Sequence, residues 1–323
     1  MKQRSLGNSG LKVPPLSLGG NVFGWTVDEA KSGLLLDAAF ERGLNFIDTA
    51  DVYSSWAPGN HGGESETIIG NWLARTGNRD KVVLATKVGK LAGREGLRRK
   101  TILQAADESL QRLQTDVIDL YFAHAQDEET PIEETLEAFA ELIAAGKVRS
   151  IGASNYDPHH LLEALAVSDK RSLPRYEVLQ PKYNLYDRED YENNLLPVAA
   201  QNGLGVVPYY ALAQGFLAGK YRRPEDFEKG VRGPRAKKYM TDRGRRILKA
   251  LDDVAGEYGA TPSVVSLAWL MAKPTITAPI ASATSVEHVR DLANAVALEL
   301  GDEAIKRLDK ASAGSDIELK EAS

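Results

Sequence analysis

Three short apolar segments of the chain each lead to residues that can carry or donate a proton. NFIDTADVY contains Asp48 and then Tyr53, VVLATK ends at Lys87, and VIDLYFAH ends at His124. An acid, a phenol, an amine and an imidazole at the ends of successive buried strands are hard to explain by packing. In a parallel barrel the strand ends share one rim, where such residues indicate chemistry rather than stability.

These residue types suit the reduction of a carbonyl group, which needs a hydride on one side and a proton for the developing oxyanion on the other. Free tyrosine has a pKa of about 10, so Tyr53 would hold its proton at neutral pH. An ammonium group beside it, Lys87, would stabilise the phenolate and lower that pKa, while Asp48 would hold Lys87 charged. His124 could donate a hydrogen bond to the carbonyl oxygen and orient it.

Each of these residues also has a simpler explanation. His124 could be a structural histidine, and Tyr53 could be a packing residue. Asp48 and Lys87 could form an ordinary ion pair, because perturbed ion pairs are not always functional. Their joint occurrence at the ends of successive buried strands favours the catalytic interpretation.

Composition and charge exclude several classes of function. The 323 residues are 43% hydrophobic and 26% charged, as in an ordinary globular enzyme. A net charge of -5 argues against a general nucleic-acid binder. The lack of cysteine excludes disulfides, thiolate nucleophiles and cysteine metal sites. No apolar run approaches the roughly 20 residues that span a bilayer, and the N-terminus lacks a signal-peptide pattern, so we expect a cytoplasmic protein without a membrane partner.

Apolar segments alternate with amphipathic segments along nearly the whole chain. The predicted strands lie near 16–20, 45–50, 82–88, 117–124, 148–155, 178–183, 205–211 and 275–281. The predicted helices are 28–41, 65–75, 101–113, 132–145, 158–166, 188–202, 241–258 and 286–296. Eight such units predict an α/β fold, a (β/α)8 TIM barrel with an N-terminal β-hairpin and a C-terminal helix. A doubly wound open sheet is the alternative, but LGGNVFGW does not supply its GxGxxG turn.

Three segments lie outside the repeating unit of one domain over residues 1–323. Residues 1–15 predict a hairpin that turns at Gly7–Gly10 and closes the barrel floor. Residues 221–240 form a long connection with seven Lys or Arg against three acids. A terminal helix at 303–310 precedes a polar tail at 311–323.

Six motifs occur in order and at consistent spacings: GLNFIDTADVYS, GGESETIIGNWL, LATKVGK, DVIDLYFAHAQD, GKVRSIGASNY and LQPKYNLYDR. Together they resemble the aldo-keto reductase superfamily from about Leu16 to Leu308, in particular the branch that includes bacterial oxidoreductases and potassium-channel β-subunits. The resemblance implies an enzyme that reduces aldehydes or ketones to alcohols with NADPH. Tyr53 would be the proton donor, and Asp48, Lys87 and His124 would support it.

The resemblance also implies a set of cofactor contacts. They are Gly19, Gly20, Asn21, Asp48, Ser154, Asn155, Gln180, Tyr209, Leu212, Gln214, Gly215, Ser282, Thr284, His288 and Asp291. Asn155 and Gln180 suit a carboxamide, which offers both a donor and an acceptor. Tyr209 would stack on the nicotinamide ring, although Tyr210 is an alternative because the usual serine and proline are replaced after Tyr209.

Cofactor preference is less clearly indicated. Members that prefer NADPH carry Lys or Arg after the last strand, whereas this chain has Ser282, Thr284 and His288, so NADH is the alternative. The segment 221–240 could supply the missing charge as a lid over the cofactor, or it could be a solvated loop.

The aromatic residues Phe23, Trp25 and Trp56 follow the first two barrel strands and suggest walls for a small-molecule carbonyl substrate. No metal is expected, since His159 and His160 are adjacent and adjacent residues do not share a helix face. Two other functions stay open: a cofactor-sensing regulatory subunit, and a sugar epimerase or dehydratase that retains its cofactor. The sequence specifies neither the natural substrate nor the oligomeric state.

Overall fold

The computed structural model describes residues 2–314, which form a barrel of parallel strands preceded by a hairpin. The strands are β1 (Arg4–Ser5), β2 (Lys12–Val13), β3 (Ser17–Gly19), β4 (Phe46–Asp48), β5 (Val83–Val88), β6 (Ile118–Ala123), β7 (Val148–Ser154), β8 (Tyr176–Gln180), β9 (Gly205–Val206) and β10 (Ile280–Ala281). The α-helices are α1 (Glu29–Glu41), α2 (Glu64–Thr76), α3 (Arg99–Leu113), α4 (Ile132–Ala144), α5 (Pro158–Arg171), α6 (Leu196–Gln201), α7 (Gly233–Ala236), α8 (Asp242–Tyr258), α9 (Pro262–Ala272), α10 (Val286–Ala297) and α11 (Asp302–Ser312).

The eight barrel strands pair in parallel in the order β10-β3-β4-β5-β6-β7-β8-β9. Hydrogen bonds close the ring, because Thr277 N donates to Val206 O at 2.8 Å and Ile280 N donates to Pro208 O at 2.9 Å. The (β/α)8 barrel predicted from the sequence is therefore confirmed, together with its hairpin and its C-terminal helix.

Strands β5 and β6 are buried almost throughout, as expected for a sheet that is covered outside and filled inside. Inside the barrel, one cluster of side chains includes Phe46, Leu120, Phe122 and Val178. Leu6 and Val13 of the hairpin belong to the same cluster. The hairpin thus packs against the end of the barrel opposite the carboxyl ends of the strands.

Prolines account for the main differences between predicted and observed strands. Pro181 ends β8 early, and Pro208 and Pro279 leave β9 and β10 only two residues long, because proline has no N–H to donate to a ladder. The helix predicted at 188–202 begins as a π-helical turn, Tyr191–Leu195, and becomes α-helical only at α6. Pro197, near the start of α6, likewise supplies no N–H to the preceding turn.

Apart from the four-residue α7, which was not predicted within the connection 221–240, three helices differ from the prediction in extent or existence. Helix α5 continues to Arg171, and α11 continues to Ser312, so the first two residues of the predicted polar tail are helical. Residues 315–323 of that tail lie outside the described residues. Helix α9 was not predicted, because eight consecutive residues, 264–271, are buried, which removes the amphipathic pattern.

Among residues 2–314, no helix has the length and apolar character needed to cross a bilayer.

The hairpin turn offers a matched test of the close packing at the barrel floor. Gly7 has φ of +54°, and a Cβ there would lie 2.4 Å from the carbonyl oxygen of Glu177 and 2.6 Å from Gly205 N. Gly10 has φ of +76° but meets nothing within 4 Å. We expect Gly10→Ala to cost about 1 kcal/mol from backbone strain alone. Gly7→Ala should cost roughly 2–4 kcal/mol, because strain and overpacking add.

Urea titration of the two variants and the parent protein measures these free energies of unfolding. Equal losses for Gly7→Ala and Gly10→Ala would contradict the close contact between the hairpin and the strands.

Candidate active site

Four titratable residues meet at the carboxyl ends of β4, β5 and β6, and we call them the Lys87 cluster: Asp48, Tyr53, Lys87 and His124. Lys87 is fully buried, and its Nζ donates to Asp48 Oδ2 at 2.7 Å, to Thr49 O at 2.7 Å and to Tyr53 Oη at 2.9 Å. All three protons of the ammonium group are therefore used. The Tyr53 hydroxyl in turn donates to Asp48 Oδ2 at 3.3 Å.

The hydrogen bond from Lys87 does not give Tyr53 the lowered pKa that was expected from the sequence. Burial raises the pKa of Tyr53 well above its usual value, and the negative charge of Asp48 adds to that rise. Burial also lowers the pKa of Lys87, while Asp48 opposes that change. Burial and the carboxylate of Asp48 thus hold Tyr53 as a protonated phenol.

His124 follows β6 and faces the same cavity as Tyr53, with the two ring centroids 6.1 Å apart. Burial lowers the pKa of His124 well below 6.5, and the charges of Lys87 and Lys90 lower it further. Its Nδ1 is buried and has no hydrogen-bond partner within the described chain. A neutral imidazole with a free buried nitrogen is a candidate for contact with a ligand.

A cavity of about 550 Å³ opens above the Lys87 cluster. Most residues predicted from the sequence to touch cofactor or substrate line it. They are Gly19, Asn21, Trp25, Asp48, Trp56, Ser154, Asn155, Gln180, Tyr209, Leu212, Gln214, Gly215, Ser282, Thr284 and His288. The walls that hold these residues come from loops after several different strands.

Three residues predicted to touch the cofactor or substrate lie outside the lining, as does the fully buried Lys87 beneath it. Phe23 is fully buried in the core, and its carbonyl accepts a hydrogen bond from Ser54 Oγ at 2.6 Å. Gly20 is buried, and a Cβ atom added to it would lie only 2.8 Å from the hydroxyl oxygen of Ser65. Asp291 lies on α10 and accepts a hydrogen bond from Thr261 at 3.4 Å.

The amide side chains of Asn155 and Gln180 already form hydrogen bonds within the protein. Asn155 donates to His124 O at 2.8 Å and accepts from the Tyr209 hydroxyl at 2.7 Å. Gln180 Nε2 donates to Asp48 Oδ1 at 2.9 Å. These contacts fix the orientation of both amides, and Gln180 Oε1 accepts no hydrogen bond from a described residue.

Three cations on one side of the cavity were not assigned to individual positions from the sequence. Lys220, Arg232 and Arg235 line the cavity, and none of them pairs with a carboxylate of residues 2–314. Arg232 has a buried Nη2 without a partner and lies over the Trp25 ring, 5.6 Å from its centroid. Burial lowers the pKa of Arg232. A half-buried, unpaired guanidinium fits an anionic group such as a nucleotide phosphate.

Arg232 and Arg235 belong to the long connection 221–240, which the structure describes as 3-10 turns around α7. Arg222 anchors the segment to Asp252 of α8, and the Tyr239 hydroxyl donates to Asp187 at 2.8 Å. The connection is thus packed against the barrel with two of its arginines toward the cavity.

One group of possible metal ligands lies outside the cavity and consists of Asp157, His159 and His160. Their ligand atoms lie within 4.8 Å of one another, so the two histidines approach each other although they are adjacent in the sequence. His160 Nδ1 is already hydrogen-bonded to Asp157 Oδ2 at 2.9 Å. The group also lies at the N-terminus of α5, where the helix dipole disfavours a cation.

A second buried acid lies behind the Lys87 cluster and was missed in the sequence, although it belongs to the same motif, DTAD. Asp51 is 2% exposed, and its Oδ1 has no hydrogen-bond partner among the described residues. Burial raises the pKa of Asp51 to about 7, and the nearby Glu66 adds to the rise, while Arg112 and Lys87 oppose it.

Comparison with known proteins gives a consistent result. Residues 15–313 match the model of the aldo/keto reductase family. The chain is 38% identical to an oxidoreductase of Bacillus subtilis, YrpG, over 100% of this chain and 99% of that protein. It is 32% identical to a probable voltage-gated potassium channel β-subunit of Arabidopsis thaliana, over 92% and 91% of the two chains. It is 31% identical to norsolorinic acid reductase of Aspergillus flavus, over 94% and 79%. The resemblance inferred from the six motifs is confirmed.

The pKa of Asp51 predicts how its removal changes stability with pH. The folded-state pKa of about 7 exceeds the ordinary value of 3.8, so Asp51 costs stability as the pH rises between these values. Each unit corresponds to about 1.4 kcal/mol. Asp51→Asn, which resembles the protonated acid, should raise the melting temperature at pH 8 by a few degrees, and the gain should be smaller at pH 5.

Thermal unfolding of both proteins at the two pH values measures this difference. A variant that melts below the parent protein at pH 8 would show instead that Arg112 and Lys87 stabilise an ionised Asp51.

Proposed function

The chain belongs to the aldo/keto reductase family, and we propose that it reduces an aldehyde or ketone to an alcohol, with NADPH as cofactor and Tyr53 as proton donor. One observation above all supports this proposal. The Tyr53 hydroxyl is hydrogen-bonded to a fully buried ammonium, Lys87, at the floor of a cavity of about 550 Å³. The oxidoreductase and reductase among its relatives agree with this chemistry.

Tyr53 is held in the state that a proton donor requires. Burial and Asp48 keep the phenol protonated before the reaction. As negative charge develops on a carbonyl oxygen next to the hydroxyl, Tyr53 gives up its proton. The phenolate that remains is stabilised by Lys87 Nζ, 2.9 Å away.

His124 would orient the carbonyl. Because its pKa lies well below 6.5, the ring is neutral at physiological pH and has one N–H to donate. A donor aimed at the oxygen that becomes negative stabilises the transition state more than the ground state.

A bound nicotinamide dinucleotide supplies the hydride. Ser154, Asn155 and Gln180 would hold its carboxamide, and Tyr209 or Tyr210 would pack against the ring. Leu212, Gln214, Gly215, Ser282, Thr284 and His288 lie along the remainder of the cavity. Lys220, Arg232 and Arg235 supply the positive charge that the segment after the last strand lacks, which favours NADPH over NADH because NADPH carries an additional phosphate.

Tyr53→Phe should lower kcat by about 100- to 10,000-fold, since it removes the proton donor but keeps the ring. The affinity for NADPH, measured by fluorescence titration, should stay within a factor of two or three. Tyr258→Phe, on the exposed surface of α8, is the matched control and should keep full activity. Steady-state reduction of a simple aldehyde such as 4-nitrobenzaldehyde provides the assay.

Full activity of Tyr53→Phe would contradict the assignment of the proton donor. Tight nucleotide binding without turnover of any carbonyl compound would favour a regulatory subunit. Nucleotide that stays bound through dialysis would favour a cofactor-retaining epimerase or dehydratase.

Arg232→Met should weaken NADPH binding by about tenfold, which corresponds to about 1.4 kcal/mol. NADH binding should weaken less, since NADH offers fewer charges to the three cations. Arg223→Met is the control, because Arg223 lies in the same segment but outside the cavity lining. Fluorescence titration with both nucleotides measures the four dissociation constants, and equal losses for NADH and NADPH would contradict the proposed preference.

A further inference from the structure

We propose that this site selects carbonyl substrates that bear an anionic group, a carboxylate or a phosphate, and that Lys90 binds that group. The inference rests on the reductase activity proposed above and specifies its substrate class.

Lys90 lies two residues beyond the end of β5, on the same side of the cavity as the Lys87 cluster. It lines the cavity together with Val52, Trp56 and His124. Lys90 and Lys87 are close enough to affect each other, since partial burial and the charge of Lys87 both lower the pKa of Lys90. The charge of Lys90 in turn lowers the pKa of His124. Val88, two residues before Lys90, accepts a hydrogen bond from His124 N at 2.9 Å, so the loop that carries Lys90 begins beside the histidine that would orient the carbonyl.

Lys90 is distinguished from its neighbours by its lack of an acidic partner. The loop 89–98 contains two other basic residues, and both are paired: Arg94 with Glu108, and Arg98 with Glu129. Lys90 forms no salt bridge and no side-chain hydrogen bond with any residue of the described range 2–314. Although its ammonium is partly desolvated, Lys90 as a residue is exposed at the cavity wall, so an anionic ligand can reach it, and the nearby charge of Lys87 favours an anion there.

The carboxylates of the cavity do not compete for Lys90. Among the acidic residues, Asp48 alone lines the cavity in the described structure, and it is already bound to Lys87 and Gln180. The other cations, Lys220, Arg232 and Arg235, are assigned above to the cofactor. The charge of Lys220 lowers the pKa of His288, so Lys220 lies near a residue that was predicted to contact the cofactor. Lys90 is thus available to a substrate when the cofactor is bound.

The walls beside Lys90 indicate the remainder of the substrate. Trp56 packs edge-on against Trp25, with ring centroids 5.6 Å apart, and against Tyr53 at 6.0 Å. Flat apolar surfaces in a cavity lined by unpaired cations, Lys90 and, over the Trp25 ring, Arg232, suit a short or aromatic aldehyde with a negative charge at its far end.

Paired substrates that differ only in charge test this inference. For the carboxylate, 4-carboxybenzaldehyde is compared with methyl 4-formylbenzoate, and succinic semialdehyde with its methyl ester. For the phosphate, glyceraldehyde 3-phosphate is compared with glyceraldehyde. We expect kcat/KM to be at least tenfold higher for the anionic substrate than for its neutral partner in the carboxylate pairs, in the phosphate pair or in both. The pairs that show this preference identify which anion the site binds.

Variants then assign the preference to Lys90. Lys90→Met should raise KM for the preferred anionic substrate about tenfold while kcat and the constants for its neutral partner change less than twofold. Lys90→Arg should restore most of the preference because it retains the charge. Lys100→Met removes another exposed lysine from the start of α3 and should behave like the parent protein.

The outcomes separate this inference from the proposed reductase. Turnover of neutral aldehydes without a preference for anionic ones, or a preference that survives Lys90→Met, overturns the role of Lys90 and leaves the reductase standing. Absence of turnover with every aldehyde and either nucleotide overturns both. High salt should weaken the preference in the parent protein, as screening requires, and a preference insensitive to salt counts against Lys90.

Discussion

The interaction on which the site depends is the burial of the Lys87 ammonium. Removing a charge from water costs several kcal/mol, and the cost is offset only where the geometry and the hydrogen bonds are complete. Here three partners meet it at 2.7–2.9 Å: the carboxylate of Asp48, the carbonyl oxygen of Thr49 and the hydroxyl of Tyr53. Because these partners come from β4 and the turn after it, one charge fixes the end of a strand, the course of the turn and the position of the phenol. The ring of Tyr53 adds a further contact, since Lys87 Nζ lies 4.6 Å from its centroid.

Acidic and basic side chains lie on different sides of the Lys87 cluster, an arrangement that the net charge of -5 does not suggest. Asp51 and Glu66 are buried behind the Lys87 cluster, and both their charges act on Lys87. Toward the cavity, unpaired cations dominate. The acids support a buried positive charge, whereas the cations face the space where a nucleotide and a substrate would lie. A mildly acidic protein can therefore present a strongly basic cavity, because local pairing rather than total composition decides which charges are free.

The sequence predicted the parts of this structure that depend on short segments. Asp48, Lys87 and His124 lie in or directly beside buried strands, so the barrel topology alone brings them to one rim, and their convergence followed from the fold.

Lys90 and Arg232 were not singled out, because their positions depend on how irregular loops fold and on which neighbours are paired. Helix α9 was missed since burial on every side removes periodicity, and Phe23 was misjudged because a loop aromatic can turn inward. The pKa of Tyr53 depends on competing distances to an acid and an amine, which sequence order does not contain.

Aromatic contacts connect the two ends of the cavity. Arg232 lies over Trp25, Trp25 packs edge-on against Trp56, and Trp56 packs against Tyr53. The segment that carries Arg232 is therefore linked through two indole rings to Tyr53, the residue that would donate the proton. Such contacts keep their geometry without ion pairs, so they leave the cations of the cavity free for ligands. Arg232 thus contributes its charge to the cavity and its flat guanidinium face to the wall that Trp25 forms, so one side chain belongs to both parts of the site.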